Sequence, residues 1–340
     1  MLISATTVKD TTENVERFVR RNLSAGIDHL VLFIDSEQPE IVDHFAGSAE
    51  VTCVPAWDET WWNGTQRPGL NGRQNLNCSV VNALLVGFTW AEWLFHIDAD
   101  EVVRLDRARL ERLDRSVDVV LLEVLESVSH PDAEDEGGWF KRLLTRDERE
   151  TLVERGLLSS LPNKSYFHGH VIGKSGWRPS HALRGGLHRP RDLSGEAVKG
   201  FEADWLQLLH FESQTPTEFE RKWRNLVGSG LDRIKVRTER QPVASAVQEL
   251  LDDHLSTVET ELGFRAIYER TTQDRFPELR QLGFLVRVDT DETQYEARRI
   301  PPDELGRLRS LLRGARDVPK TEFSGASQER AVSRIDAQEG

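Results

Sequence analysis

The sequence predicts an α/β fold: a mixed, mainly parallel central sheet flanked by helices, with a mainly helical region toward the C-terminus. Three observations lead there. Short apolar runs near residues 2–8, 29–34, 51–54 and 93–97 alternate with helix-like segments, a rhythm that calls for parallel strands joined by crossover helices. Several of these runs are continuously apolar, as expected of strands covered on both faces. Finally, Trp93-Leu94-Phe95-His96-Ile97 ends abruptly in Asp98-Ala99-Asp100-Glu101, which puts polar groups at the strand end where open α/β sheets bind ligands.

Residues 2–8 lead into Lys9-Asp10-Thr11-Thr12-Glu13, where Thr11 or Thr12 caps a helix. Val15, Phe18, Val19 and Leu23 recur at helical spacing, and Gly26 closes that helix near Ala25. His29 to Ile34 is a buried strand ending at Asp35-Ser36, Ile41 to Phe45 a short helix, and 51–54 a third strand. A helix over Leu76 to Leu85 precedes the strand at 93–97, with Asn71-Gly72-Arg73-Gln74-Asn75 as the loop before it. Val117 to Val124 reads as a further strand, Ser129 to Gly138 as an acidic loop, and 139–190 as loops and short strands rich in Gly, His, Lys, Arg and Trp. Trp205 to Phe211 forms a last buried strand, and Thr215-Pro216-Thr217-Glu218 opens a helical region over 217–271 with a break near Gly228 to Gly230. From about Pro319 the chain is polar and apolar-poor, which predicts a flexible tail. The expected domains are 1–214, 215–317 as a helical region, and 318–340 as tail.

The 340 residues carry a formal net charge of −13, which argues against broad affinity for nucleic acid or anionic membranes. An anionic substrate therefore needs a local concentration of Arg, Lys or metal. Cys53 and Cys78 alone give neither a disulfide framework nor metal-ligand spacing, and no run approaches a membrane span or a signal peptide, so a cytoplasmic protein is expected.

On an extended backbone Asp98 and Asp100 share one face while Glu101 points away. Two adjacent carboxylates repel, and a hard divalent ion, Mg2+ or Mn2+, carrying a substrate diphosphate resolves that repulsion. A second Asp-x-Asp, at Asp289-Thr290-Asp291, follows the alternating run Phe284, Val286, Val288 and shows that the spacing alone is common. Lys9, Asp10, Asp35 and Arg73 are nucleotide-binding candidates by position at strand ends and before a helix, or else caps and surface charges. Trp57, Trp61 and Trp62 either stack on a ligand or pack in the core.

Ala25-Gly26-Ile27-Asp28-His29-Leu30, the Trp93-to-Glu101 segment, Lys174 in Gly173-Lys174-Ser175-Gly176, and Leu209-His210-Phe211 followed by Phe219-x-x-Lys222-Trp223 together resemble family 2-like glycosyltransferases of the GT-A fold, in the branch related to family 92. The likeness covers roughly residues 1–225. It departs at Lys9-Asp10, where the family usually shows Asn-Glu, and at Asp35-Ser36-Glu37. The resemblance implies a GT-A, Rossmann-like fold, with a nucleotide-sugar half at about 1–101 and an acceptor half at about 102–214. It also implies transfer of a hexosyl group from a UDP- or GDP-sugar to a glycan, lipid-linked or small-molecule acceptor. Asp98 would contact ribose or ligate the ion through water, Asp100 would bind the ion directly, and His210 would be the third ligand, an imidazole suited to Mn2+. Lys174, with Arg178 and His181, would neutralise the diphosphate or hold acceptor on a segment able to close as a lid, or else be solvated.

Inversion needs a carboxylate base, for which Glu126, just beyond the strand at 117–124, is preferred over Glu123, Glu212 and the 132–136 loop. Two rivals stand beside this reading. A sugar-phosphate nucleotidyltransferase would normally carry a Gly-rich loop after the first strand, absent from Val8-Lys9-Asp10-Thr11-Thr12; the other rival is a non-catalytic nucleotide-sugar or glycan-binding protein of the same fold.

Overall fold

The computed structural model describes residues 1–135, 138–228, 240–253, 255–290 and 295–339. Along the chain run β1 (Leu2–Val8), α1 (Thr12–Ser24), β2 (His29–Ile34), α2 (Pro39–His44), β3 (Val51–Pro55), α3 (Glu59–Trp62), α4 (Leu70–Leu85), β4 (Trp93–His96), β5 (Glu101–Leu105), α5 (Arg107–Glu111) and β6 (Val119–Ser127). They are followed by α6 (Pro131–Asp135), β7 (Trp139–Lys141), α7 (Arg146–Glu154), β8 (Lys174–Trp177), β9 (Leu183–Arg184), β10 (Arg191–Asp192) and β11 (Leu206–His210). The remainder is α8 (Pro216–Gly228), α9 (Gln241–Asp252), α10 (Thr257–Thr271), α11 (Phe276–Gln281), β12 (Leu285–Arg287), α12 (Pro302–Gly314) and α13 (Gln328–Glu339). The chain divides into two compact units, one of residues 1–123, 172–208 and 291–340, the other of 124–171 and 209–290. This replaces the expected three consecutive domains.

In the first unit β3, β2, β1 and β4 are adjacent and parallel; beyond β4 the sheet turns antiparallel, through β8 and the first half of β6. This is a mixed α/β sheet compatible with a Rossmann-like fold. Period-2 alternation sorts its side chains cleanly. Ile3, Ala5, Val31, Phe33, Leu94 and Trp177 pack with α4, α12 and α13. Leu2, Val8, Leu30, Leu32, Ile34, Trp93 and Phe95 pack with α1 and α2. Both faces are covered, which is why the strands read as unbroken apolar runs.

Thr11 caps α1 by accepting from the Asn14 amide, and the helix stops at Gly26, whose φ of 108° is costly for any residue with a Cβ. Asp28 then acts as a buried clasp. It takes both Arg107 amino groups (2.8 and 2.5 Å) and the Leu2 and Arg298 amides (2.9 and 2.7 Å), so it fastens strand, helix and a distant loop together.

Several boundaries differ from expectation. Helix α4 begins at Leu70, so Arg73 and Gln74 lie in its first turns and not in a loop. Asn71, Gly72 and Asn75 are poor helix formers, but long-range contacts hold the turn: Arg73 to Asp35, Gln74 to Asp98 and, one turn on, Asn77 to Thr7 and Trp61. Strand β6 runs to Ser127, which places Glu126 inside it. The 129–138 stretch contains the short helix α6, and 139–190 contains α7, started by a Thr145/Glu148 capping box. The proposed helix break at 229–230 lies outside the described residues. Trp61 and Trp62 are core residues, their indole N–H groups donating to Asn77 Oδ1 and the Ala56 carbonyl, while Trp57 is half-buried.

The expected tail is instead folded. A 3-10 turn at Lys320–Ser324 leads to α13, and Phe323, Ala331 and Ile335 are fully buried against the α4 side of the sheet. Low average hydropathy hid a sparse apolar stripe, Ala331 and Ile335 being one helical turn apart. Lys320 Nζ secures the entry by donating to the Ala315 and Val318 carbonyls (2.6 and 2.7 Å) above the Trp61 ring.

The second unit holds the end of β6, β7 and β12 as antiparallel strands. Beside them α8, α9 and α10 enclose Phe219, Trp223, Val247, Phe264 and Tyr268.

If α13 is part of the fold, Ile335→Ala lowers unfolding free energy by about 2–5 kcal/mol in denaturant titration. An unattached tail would give no change.

Candidate functional site

In the first unit, the carboxyl ends of three parallel strands carry the candidates. After β1, Lys9 is exposed, and Asp10 accepts from the Thr11 amide and Asn14 Nδ2, part of the α1 entry. After β2, Asp35 is nearly fully buried and grips Arg73 bidentately (Nε to Oδ1 2.7 Å, Nη2 to Oδ2 2.5 Å), with Arg67 Nη2 also 3.1 Å from Oδ1. Asp35 and Arg73 are thus brought together as expected for one site. Their first partners, however, are each other.

After β4 the chain does not stay extended. Strand β4 ends at His96, and residues 98–100 form a turn closed by the Glu101 amide donating to the Asp98 carbonyl (3.1 Å). The turn overturns the expected side-chain alternation. Glu101 is fully buried, and its Oε2 accepts from the Asp98 amide at 2.7 Å and lies 3.7 Å from Lys174 Nζ. Asp98 Oδ2 accepts from Lys174 Nζ at 2.8 Å, and Oδ1 from Gln74 Nε2 at 2.6 Å. Asn22 fixes the start of β5 by donating to the Glu101 carbonyl (3.0 Å) and accepting from the Val103 amide (3.1 Å).

Lys174 is the centre of this arrangement. It opens β8, a strand antiparallel to β4, and is 1% exposed, so it is a buried ammonium and not part of a lid. Burial works against its charge, but Asp98, Glu101 and Asp100 outweigh burial and raise its pKa. It also donates to the Leu187 carbonyl at 3.2 Å. His96 stays neutral: burial and the Lys174 ammonium lower its pKa, and its Nδ1 lies 2.9 Å from the Gly186 carbonyl.

Asp98 and Glu101 face one ammonium and Asp100 adds to their charge, which leaves negative charge in excess. A hard divalent ion fits that donor chemistry. Arg178 and His181 do other work. Arg178 stacks on Trp93 (4.5 Å) and donates to the Val117 carbonyl, and His181 Nε2 lies 3.3 Å from the Ala83 carbonyl.

Glu126 and His210 belong to the second unit. Glu126 stands directly across from Lys141 in the β6–β7 register, and Lys141 Nζ lies 2.9 Å from its Oε1 and 3.0 Å from Asp274 Oδ2. The His168 and Gly169 amides donate to the two Glu126 oxygens (2.7 and 2.5 Å). Burial opposes the Glu126 charge, yet Lys141, with His210 and His168, holds the carboxyl well below its usual range. A carboxylate so enclosed and paired is a weak proton acceptor, which disfavours the expected role as base. Gly169 is needed here, since a Cβ would lie 2.1 Å from the His210 ring and 2.7 Å from Glu126 Oε2. His210 ends β11 with Nδ1 3.7 Å from Glu126 and Nε2 4.0 Å from Glu212, and its ring stacks on His170. Glu212 is buried beside Lys222 (2.8 Å) and Arg240 (3.5 Å).

The network of Lys141, Asp274 and His168 was missed in the sequence. Lysine and glutamate inside the apolar runs Trp139-Phe140-Lys141 and Val124-Leu125-Glu126 are the signal that pointed to it. Among the competing bases, Glu123 is exposed and Glu136 lies outside the described residues. In the second Asp-x-Asp, Asp289 is exposed on the surface, while Asp291 and Glu292 also lie outside them.

Burial tends to raise the pKa of Glu212, but Lys222 and Arg240 bring it from 4.5 to about 2. A carboxyl lowered on folding adds stability that is complete above the unfolded value and lost as pH falls through the folded one. Glu212→Gln is therefore expected to cost about 1.5–3 kcal/mol near neutrality. Its deficit relative to wild type shrinks as pH falls from 4.5 toward 2, measured by denaturant titration. An equal deficit at pH 7 and pH 3 would contradict this pairing.

No protein-family model matches the chain, and no curated protein matches it.

Proposed function

We propose that this protein is a divalent-metal-dependent glycosyltransferase that moves a hexosyl group from a nucleotide-sugar donor to a carbohydrate, lipid-linked or small-molecule acceptor. One observation carries the reading. The turn Asp98-Ala99-Asp100-Glu101 lies at the carboxyl end of a strand next to β1, and Asp98 and Glu101 face the buried ammonium of Lys174, with Asp100 adding to the negative charge it feels. The carboxyl ends of β1, β2 and β4 are where an open parallel sheet holds a nucleotide. Mn2+ or Mg2+, held by Asp98 and Asp100, would supply the positive charge that a departing nucleoside diphosphate requires.

The chain's own residues prepare that site. Lys174 and Gln74 each take one Asp98 oxygen, which fixes the carboxylate's orientation before any ligand arrives. Glu101 braces the turn by accepting from the Asp98 amide, and Asp98 and Asp100, both half-buried, are the residues assigned to the ion in this reading. Arg73 and Arg67 on Asp35 form a cationic cluster beside the first turns of α4, and one guanidinium can rotate from carboxylate to phosphate. No helix among the described residues is long and apolar enough to cross a membrane. A lipid-linked acceptor would thus be reached without a membrane-spanning helix from these residues.

Thermal-shift titration with UDP and GDP, each with Mn2+, Mg2+ or chelator, tests the reading. At about 100 times Kd the matching nucleotide should add about 2.7 kcal/mol, seen as a rise in Tm only when metal is present. Asp100→Ala should abolish that rise while leaving the Tm without ligand within a few degrees. The reading fails if no nucleotide gives a metal-dependent shift.

A further inference from the structure

We propose that Lys174 selects the form in which a divalent ion enters the 98–101 turn, favouring an ion that already carries a diphosphate over the bare ion. This rests on the transferase reading and adds a selectivity to it. Lys174 Nζ lies 2.8 Å from Asp98 Oδ2 and 3.7 Å from Glu101 Oε2, so acids of the turn already share a positive charge. That charge does not swing aside. A surface lysine has a flexible stem and yields its place readily, whereas Lys174 is 1% exposed on β8, in register with Leu122 of β6, and donates to the Leu187 carbonyl at 3.2 Å. The segment bearing that carbonyl is itself fixed. The Gly185 amide donates to Ser79 Oγ (2.9 Å), His96 Nδ1 lies 2.9 Å from the Gly186 carbonyl, and His188 Nδ1 lies 3.1 Å from the Gly173 carbonyl. A Cβ on Gly185 would meet the Asn75 carbonyl oxygen at 2.8 Å, so this segment lies directly on α4.

A fixed ammonium acts with opposite sign on the two species. Asp98, Asp100 and Glu101 attract bare Mn2+ or Mg2+, and Lys174 repels it at short range in poorly solvated surroundings, where Coulomb interactions are strong. A divalent ion bound to a nucleoside diphosphate carries surplus negative charge, which the carboxylates repel and Lys174 attracts. Removing the ammonium therefore helps the bare ion and hinders the complex. A lysine that only holds the turn together predicts something else: its loss leaves buried carboxylates without their partner, and binding of both species weakens.

Electron paramagnetic resonance of free Mn2+ over the full chain, with Mn2+ alone and with Mn2+ plus UDP or GDP, reads both affinities. Lys174→Met should bind Mn2+ alone about tenfold more tightly than wild type, and the complex of Mn2+ with the diphosphate about tenfold more weakly. Mn2+ alone should also raise the Tm of the variant, where the ion replaces the missing ammonium, and should have little effect on that of wild type. If Lys174→Met does not fold, Lys174→Gln, which keeps a donor for Asp98, takes the same test. Loss of both affinities, a gain in both, or no change in either overturns the proposal. Failure of wild type to bind UDP or GDP in a metal-dependent way sinks the transferase reading itself. Metal-dependent binding by wild type, with no gain for bare Mn2+ in the variant, overturns this inference alone.

Discussion

A buried ammonium held between carboxylates organises the first unit. Lys174 could not remain charged at 1% exposure without Asp98 and Glu101, and the tight turn at 98–101 could not hold its carboxylates so close without Lys174. Each side of the pair justifies the other's burial. The sheet topology makes the meeting possible, because β8 returns antiparallel beside β4 and starts where β4 stops, with His96 opposite Ser175. The turn is then tied from three directions: by Gln74 on α4, by Asn22 on α1 and by Lys174 on β8. The result is a preformed acidic site whose geometry does not wait for a ligand.

The second unit uses the same physics to a different end. Its buried acids are fully committed: Glu126 and Asp274 to Lys141, and Glu212 to Lys222 and Arg240. Around them Gly169 is pressed against His210, and Ser213 takes a positive φ of 44° while its hydroxyl donates to Glu212. Such packing of charge and strained backbone is expensive and persists where surrounding contacts determine it. In chemical terms, Glu126 is better suited to hold the 168–169 backbone than to accept a proton.

Much of this was legible in the sequence, and the failures share a cause. Strands covered on both faces announce themselves as apolar runs, so β1 to β4 and the acidic segment after β4 could be located. The side-chain directions at 98–101 could not, because period-2 reasoning holds only while the chain stays extended, and here it turns. Lys174 looked mobile because glycines flank it, yet Gly176 lets the Phe95 ring lie against the β8 backbone, where a Cβ would clash at 2.3 Å. Arg73 and Gln74 looked like loop because their local sequence is a poor helix former; their helix is stabilised by Asp35 and Asp98, far away in sequence. The C-terminal helix was hidden by its composition, since a few buried residues, Phe323, Ala331 and Ile335, suffice to dock it.

In the proposed function Asp98 and Asp100 present oxygen ligands for a divalent ion that arrives with a nucleoside diphosphate. Electron paramagnetic resonance of free Mn2+ tests it directly. With wild-type protein, adding the diphosphate should remove free Mn2+ signal beyond what the nucleotide alone removes, and Asp98→Asn combined with Asp100→Asn should abolish that excess. An excess equally large in the double variant, or none in the wild type, would contradict the claim.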